Sequence, residues 1–317
     1  MRIHGLCLIK NEADVIEECL RDAARWCDHI YVWDNGSDDG TWEIVQRLAQ
    51  ELPQVVPWRQ KDTEFNDRMR QEIFAEFSSR AGADDWWVRL DADEFYVQDP
   101  RAFLYTVPPS YDVVWYASLS FYFSSAAATE YERNPHSFAD SVPVRQRCRY
   151  YHNHWSEPRF VRHSLLARVP WTGDSGWPLA VWSAPTCPLR VICRHYAYRS
   201  PSQIERRIAT RAKAALSGKV FGHEAISNWA AVVDPKAVHK HKWRDIAYCT
   251  DAELFERGWR SRIIPTESLV YDAHDGHFII NEHLMPKIPV PVRSITQDTR
   301  ALAKRVVRAI GRRLLPA

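Results

Sequence analysis

The amino-acid sequence predicts an α/β fold in which a mainly parallel central sheet carries helices on both faces. Short apolar runs alternate with segments of helical period through residues 1–100. Aspartate-rich clusters stand directly after the second and fourth apolar runs. The chain has 317 residues, of which 45% are hydrophobic and 26% charged, enough for one large domain or one domain with an appendage.

The alternation begins at the N-terminus. The apolar run 3–9 predicts a short buried strand. Residues 14–26 then place apolar side chains at helical spacing, with charged side chains between them, and predict a helix. The apolar run 30–33 predicts a second strand, which stops in the turn cluster "DNGSDDGT".

The same pattern repeats up to residue 90. Residues 41–52 gather apolar side chains on one face and predict a second helix, and "QVVPW" at 54–58 predicts a third strand. Residues 67–80 predict a third helix, since Gly82 stands just past its end. The apolar run 86–90 predicts the fourth strand.

Composition excludes several classes of protein. The formal net charge of +2 gives no indication of nucleic-acid binding. Seven scattered cysteines with no C-x-x-C pair argue against a disulfide framework and for a reducing compartment. The N-terminus is too charged for a signal peptide, and no run approaches the roughly 18 apolar residues of a spanning helix. We therefore expect a cytoplasmic protein.

The acidic segment "RLDADEFY" follows the fourth predicted strand and contains Asp91, Asp93 and Glu94. In open α/β sheets, ligands bind beyond the carboxyl ends of the strands. Aspartates at positions i and i+2 of an extended segment point to the same side, and they can hold Mg²⁺ or Mn²⁺, which commonly bridges substrate phosphates. The alternative is a solvated acidic turn in which an aspartate caps a helix.

The segments "LIKNEADVIEECL", "IYVWDNGSDDGTWEIV" and "WVRLDADEFY" resemble the nucleotide-sugar-binding half of family 2 glycosyltransferases, whose fold is the GT-A type. The resemblance is strongest to a bacterial branch with "KNE", "DNGSxDGT" and "DADEF". It covers about residues 1–100 and resumes at "RHYAYRSPSQIERRIATR". It implies transfer of a sugar from a nucleoside-diphosphate donor to an acceptor hydroxyl, with inversion, in bacterial polysaccharide or glycoconjugate biosynthesis.

The resemblance assigns donor contacts to individual positions. Asn11 and Glu12 would line the first loop, and Asp34 and Asn35 would lie beside the base and ribose. Many relatives have two aspartates at the latter positions, so Asn35 leaves the identity of the base open. Arg68 matches a basic position that approaches the diphosphate, although it could equally lie on a solvated helix face.

The resemblance also implies a Mn²⁺ or Mg²⁺ site. Asp91 and Asp93 form its D-x-D motif, with Asp93 the more direct ligand and Asp91 nearer the ribose. His195 would supply a third ligand, the alternative being a structural histidine. The arginines that follow it either neutralise the diphosphate or coat a helix that starts at Pro201; they are Arg199, Arg206 and Arg207.

An inverting transferase needs a carboxylate base to take the proton of the acceptor hydroxyl. Asp174 and Glu157 are the candidates, and Asp174 comes first because a Gly-flanked loop brings the backbone close to a sugar. Glu157 could instead pair with Arg159 or Arg162. Four tryptophans of this region form either core or a sugar-stacking platform; they are Trp155, Trp171, Trp177 and Trp182.

Three regions are predicted. Residues 1–200 form the nucleotide-sugar-binding and catalytic domain, and residues 201–285 form a helical appendage on the acceptor side. Residues 286–317 hold a Pro-rich spacer and a basic amphipathic tail helix. This helix either packs on protein or lies on the anionic inner face of the plasma membrane, as a lipid-linked glycan acceptor would require.

Two other functions fit the same motifs. The protein could be an assembly subunit that binds nucleotide sugars without transferring them. It could also be a metal-dependent nucleotidyltransferase or hydrolase on a similar sheet. The products distinguish these functions, because only a glycosyltransferase releases nucleoside diphosphate when both metal and acceptor are present.

Overall fold

The computed structural model describes residues 1–123, 125–148, 150–172, 176–215, 228–233, 269–272 and 277–280. The strands are β1 (Ile3–Ile9), β2 (His29–Asp34), β3 (Val55–Gln60), β4 (Trp86–Leu90), β5 (Glu94–Tyr96), β6 (Val113–Tyr122), β7 (Tyr150–Arg162), β8 (Val191–His195), β9 (Leu269–Asp272) and β10 (His277–Ile280). The α-helices are α1 (Ile16–Ala23), α2 (Thr41–Glu51), α3 (Met69–Phe77), α4 (Pro100–Thr106), α5 (Ser125–Arg133), α6 (Val144–Arg147), α7 (His163–Leu166) and α8 (Pro201–Ala215).

The central sheet has eight strands in the order β3-β2-β1-β4-β7-β6-β8-β5. Among the described residues, four of its strand pairs are parallel, namely β1–β2, β1–β4, β2–β3 and β6–β8. Three pairs are antiparallel, namely β4–β7, β6–β7 and β5–β8. The prediction of a mainly parallel sheet is therefore confirmed.

Helices cover both faces of this sheet. The strand β1 lies at its centre, and all seven of its residues are buried. Apolar side chains of α1, α2 and α4 pack on one face in a single cluster with the strands. Those of α3 and α7 pack on the other face. Burial on two sides explains why the strands read as nearly continuous apolar runs in the sequence.

The predicted elements of the first hundred residues are all present, with small shifts at their ends. Strands 3–9 and 86–90 have the predicted bounds. β3 extends beyond the predicted segment 54–58 to Gln60, because it continues its parallel pairing with β2 as far as Asp34.

α8 begins at Pro201, directly after the predicted boundary at residue 200. It packs with α5 and the short 3-10 helix Trp229–Val232 around a third apolar cluster. The tail helix predicted within 286–317 lies outside the described residues. Within the part of the chain that the structure describes, no helix is both long and apolar enough to cross a bilayer.

Candidate functional site

The carboxyl ends of β1, β2, β4 and β8 lie at one edge of the sheet. The first three strands are parallel to one another, and β8 runs the same way because it is parallel to β6, which β7 joins to β4 by two antiparallel pairings. Ligands of open α/β sheets bind at such an edge. Glu94 lies opposite His195 in the pairing of β5 with β8, so the acidic turn adjoins the predicted histidine.

Asn11 joins three of the elements at this edge. It adopts a left-handed backbone conformation with a φ of 56°. Its N–H donates to Ser37 Oγ at 2.8 Å, and the Asp38 N–H donates to its Oδ1 atom at 3.0 Å. Its Nδ2 atom donates to Thr210 Oγ1 of α8 at 3.3 Å. The predicted first-loop residue therefore holds the loops after β1 and β2 against α8.

Asp34 and Asn35 end β2 with different side-chain environments. Asp34 is fully buried, and its Oδ1 atom accepts from the Ser37 N–H at 2.6 Å. Its Oδ2 atom is buried without a hydrogen-bond partner in the described part of the chain, and burial raises its pKa. The Asn35 amide is bound to Thr63, whose N–H and hydroxyl donate to Oδ1 and whose carbonyl accepts from Nδ2. Asn35 thus links the loops after β2 and β3.

Asp91 lies between two arginines. Arg70 Nη2 donates to Oδ1 at 2.6 Å, and Arg159 Nη2 donates to Oδ2 at 2.6 Å. Burial raises the pKa of Asp91, but the charges of Arg159, Arg70 and Arg89 outweigh it and hold the pKa well below its usual range. Both oxygens of Asp91 are therefore engaged by guanidinium groups.

Asp93 and His195 face each other across the turn. The Asp93 Oδ2 atom is 3.4 Å from His195 Nε2, and Asp93 is 6% exposed. The guanidinium groups of Arg199 and Arg207 each approach the same oxygen to 3.8 Å. Burial raises the pKa of Asp93, but the neighbouring histidine and the two arginines lower it well below its usual range.

Arg199 links the loop after β1 to this turn. It is fully buried, and its Nε and Nη2 atoms donate to the two oxygens of Asp14 at 2.8 and 2.7 Å. Nη2 also donates to Glu12 Oε2 at 2.6 Å. Burial raises the pKa of Glu12 to about 7, although the charge of Arg199 opposes the rise. The predicted alternative that Arg199 coats the helix is wrong, because its guanidinium is fully buried and bound to Asp14, whereas its contact with a diphosphate stays a prediction.

On α3 the buried arginine is not the one that the sequence singled out. Arg68 is exposed at the N-cap position of the helix, and its N–H donates to Asn66 Oδ1 at 2.7 Å. Arg70, two residues later, is 4% exposed and reaches Asp91. The helical turn therefore directs Arg70 into the site and leaves Arg68 at the surface.

Of the two predicted bases, only Glu157 is among the described residues. The Oε1 atom of Glu157 lies 3.2 Å from Arg89 Nη1 and 3.1 Å from Arg159 Nη1. Asp174 lies outside the described residues. Gly176, two positions later, is so close to Arg89 that an added Cβ would be 2.9 Å from the guanidinium carbon. Gly176 therefore lies next to Arg89, and Arg89 in turn contacts Glu157.

Two of the four tryptophans belong to the core. Trp171 and Trp177 are 7% and 0% exposed, and their rings stack with centroids 5.4 Å apart. Trp182 is 43% exposed and touches Trp115 edge-on. The side chain of Trp155 lies outside the described part of the chain.

Sequence reasoning missed Arg70 and Asp14 as site residues and offered Arg159 only as a partner for Glu157. A signal for Arg159 was present, because it stands in the apolar segment "PRFV" of a strand. A charge within such a run indicates a buried partner, since arginine is almost never fully buried unless paired. The pattern does not say which carboxylate that partner is.

The sequence was compared with protein families and with known proteins. The sequence model of glycosyl transferase family 2 matches residues 8–101, which contain the loops after β1 and β2 and the acidic turn. No curated protein matches the chain.

Solved structures similar to the chain include three from different organisms. The mannosyltransferase PcManGT from Pyrobaculum calidifontis, in complex with GDP-Man and Mn2+, is 17% identical, with 75% of this chain and 72% of that chain covered and a TM-score of 0.39. S. aureus TarS 1-349 is 14% identical, with 74% and 69% covered and a TM-score of 0.33. The mannosyl-3-phosphoglycerate synthase from Rubrobacter xylanophilus is 11% identical, with 72% and 79% covered and a TM-score of 0.32.

The family match covers the carboxyl ends of β1, β2 and β4, three of the four strands whose ends build the site. It also contains the D-x-D turn directly after β4. Residues 8–101 thus match the glycosyl transferase family 2 model, and the protein is a glycosyltransferase with an α/β fold whose mainly parallel sheet is flanked by helices.

Proposed function

We propose that the protein is a metal-dependent glycosyltransferase that moves a sugar from a nucleoside-diphosphate donor to an acceptor hydroxyl, with inversion, in bacterial polysaccharide or glycoconjugate biosynthesis. The observation that carries this proposal is the pair Asp93 and His195, whose Oδ2 and Nε2 atoms lie 3.4 Å apart beyond β4 and β8. A carboxylate and an imidazole at the edge where a nucleotide binds are suitable ligands for a divalent cation that also binds phosphate.

The donor set fits Mn²⁺ or Mg²⁺ as a partial site. The described residues contain no cluster of three His, Cys, Asp or Glu side chains that could hold a metal ion. Both oxygens of Asp91 are engaged by arginines, so Asp93 and His195 are the ligands that the protein would supply. Mg²⁺ usually keeps several waters and takes further ligands from substrate phosphates, which suits a site with two protein ligands.

When bound, the cation offsets negative charge on the leaving diphosphate. Among the chain's own residues, we assign to Asp34 a hydrogen bond from the donor nucleoside, accepted by its Oδ2 atom, which has no hydrogen-bond partner among the described residues. Arg207 is 13% exposed and 3.8 Å from Asp93, and we assign to it the diphosphate contact. Arg68 stays a second candidate for that contact. Asn11 and Glu12 act by holding the loop after β1.

Asp174 is proposed as the base ahead of Glu157. The Oε1 atom of Glu157 is already held by the guanidinium groups of Arg89 and Arg159, which limits its approach to an acceptor hydroxyl. Asp174→Asn is expected to lower kcat by roughly 10²–10⁴-fold with little change in donor affinity, since proton transfer occurs only in the transition state. Glu157→Gln is the matched comparison. If Asp174→Asn is active and Glu157→Gln is inactive, Glu157 and not Asp174 is the base.

The acceptor is proposed to be a glycan, a lipid-linked glycan among them, that binds toward residues 201–285. The tail within 286–317 is proposed to hold the enzyme on the inner face of the plasma membrane. The six cysteines of the described residues are free, which suits a cytoplasmic location. Flotation with anionic vesicles at low salt checks the membrane contact. The full chain should float and a chain ending at Pro286 should not. If the two chains behave alike, the tail does not bind the membrane and instead packs on protein.

A donor screen followed by product analysis tests the function. Thermal unfolding is measured with UDP-, GDP-, dTDP- and CMP-sugars in the presence of Mn²⁺, because a ligand that binds the folded state raises Tm. The stabilising donor is then incubated with candidate acceptors. Release of nucleoside diphosphate that requires both metal and acceptor is the expected result. Binding without release would indicate an assembly subunit, and nucleoside monophosphate or pyrophosphate would indicate a nucleotidyltransferase or hydrolase.

A further inference from the structure

Arg159 of β7 is a buried cation surrounded by carboxylates of the site. It is 1% exposed, and its guanidinium carbon lies over the Tyr116 ring at 4.5 Å from the centroid. Its Nη2 atom donates to Asp91 Oδ2 at 2.6 Å and also contacts the Glu94 carboxylate. Its Nη1 atom lies 3.1 Å from Glu157.

The two Nη2 partners stand at the two ends of the acidic turn. Asp91 begins the turn and Glu94 begins β5, so a single nitrogen atom holds the residues on either side of Asp93. Arg70 binds the other oxygen of Asp91 from α3, which fixes the rotation of that carboxylate. Glu94 also lies opposite His195 in the strand register.

Without Arg159, no single cation would lie between the carboxylates of Asp91 and Glu94. Like charges at such distances repel and resist burial. The turn would relax to separate them, and such a movement would displace the residue between them. That residue is Asp93, which must keep its distance to His195 for both to bind one cation.

We propose that Arg159 is a positioning residue for the cation site: it holds both ends of the Asp91–Glu94 turn so that Asp93 stays opposite His195. The proposal rests on the metal dependence proposed above and adds a residue to it. Arg159 itself does not contact the cation. Its effect on cation binding comes from the geometry it imposes on Asp93, in the way that residues bonded to metal ligands orient them.

The matched control is Arg162, three positions further along the same strand. It is 7% exposed and lies over the Trp86 ring at 4.3 Å from the centroid. Its guanidinium donates to the main-chain carbonyls of Tyr111, Val107 and Pro108 and not to the acidic turn. Truncating either arginine removes a buried, ring-stacked cation from β7, but only Arg159 is joined to the turn.

The test measures Mn²⁺ binding by the full-length chain directly. Protein is titrated with Mn²⁺ alone, and free Mn²⁺ is followed by its electron paramagnetic resonance signal, so no turnover is needed. In Arg159→Met the Kd for Mn²⁺ is expected to rise about tenfold or more, the lower end of the loss found when a partner of a metal ligand is removed. In Arg162→Met the Kd should equal that of the wild-type protein, whatever happens to Tm.

Arg159→Lys provides a variant that keeps the buried charge if the methionine variant does not fold. The ammonium group of lysine lies one bond closer to the backbone than Nη2 of arginine, so it should not reach both carboxylates at once, and the Kd for Mn²⁺ should also rise. A Kd in the Arg159 variants equal to that of wild type would overturn the proposal, as would an equal rise in Arg162→Met. If the wild-type chain itself binds no Mn²⁺, the metal dependence fails together with the proposal, an outcome distinct from the other two.

Discussion

Replacing Asp93 with asparagine is expected to lower kcat/KM for the donor by roughly 10²–10³-fold, the loss found when one group that stabilises transition-state charge is removed. An amide has the shape of the carboxylate but no negative charge, so the proposed cation would lose the only anionic ligand that we assign to it. Steady-state rates at several Mn²⁺ concentrations measure the effect. Near-normal donor affinity of this variant with Mn²⁺ present would contradict the assignment of Asp93.

The fold of Asp93→Asn should survive, although Asp93 is buried rather than at an exposed rim. Two arginines and a histidine lose an anionic neighbour, and we expect a decrease of about 1–3 kcal/mol in the free energy of unfolding. Asp140→Asn is the matched control, since Asp140 also faces two arginines, at 3.7 and 3.9 Å, but stands outside the acidic turn. Its activity should be that of the wild type.

Arg199→Met is expected to lower the free energy of unfolding by about 3–5 kcal/mol, the cost of removing one partner from a buried ion pair. The substitution leaves the Asp14 carboxylate buried, with Arg147 Nη1 at 3.3 Å as its remaining close cation. Urea unfolding at neutral pH measures the change. Arg206→Met serves as control, because Arg206 is about a third exposed and 4.0 Å from Asp14, so its loss should cost at most about 1 kcal/mol.

The same ion pair sets a pH dependence. Burial raises the pKa of Asp14, but the charges of Arg199 and Arg147 bring it below its ordinary value near 3.8. A carboxyl whose folded-state pKa is depressed adds stability above its unfolded pKa and loses that stability as the pH falls through the folded value. The wild-type protein should therefore lose stability below about pH 4, and Arg199→Met should lose less over the same range. Equal acid sensitivity of the two proteins would contradict this role.

The sequence alone predicted the strands and helices whose pattern depends only on neighbouring residues. Apolar runs bounded by turn residues predicted β1 and β4 to the residue, because burial on both faces leaves nearly continuous apolar stretches. The alternation also placed Asp34 and Asp91 directly after strands, and the structure brings both to one edge of the sheet. His195, which the resemblance singled out, is the last residue of β8.

The partners of those residues could not be predicted, since they are far apart in the chain. Arg159 is 68 positions from Asp91, and Arg199 is 185 positions from Asp14. Spacing along a helix or strand says nothing about a contact that depends on which strands become neighbours. Asn35 shows the same limit: its substitution for an aspartate is visible in the sequence, but its bonds to Thr63 arise from the pairing of β2 with β3.

The position of β7 beside β4 has a consequence for how the protein forms during synthesis. The segment 8–101 carries the family motifs, yet one side of β4 is covered only when residues 160–162 pair with it. Asp14, in the loop after β1, likewise lacks its buried counter-ion until Arg199 has been synthesised. At the usual translation rate of about 5–20 residues per second, residue 199 is added roughly 5–20 s after residue 101. Until then the nascent chain exposes an unpaired edge of β4 and unneutralised carboxylates, so the motif-bearing N-terminal third must stay incomplete on the ribosome until the later strands emerge.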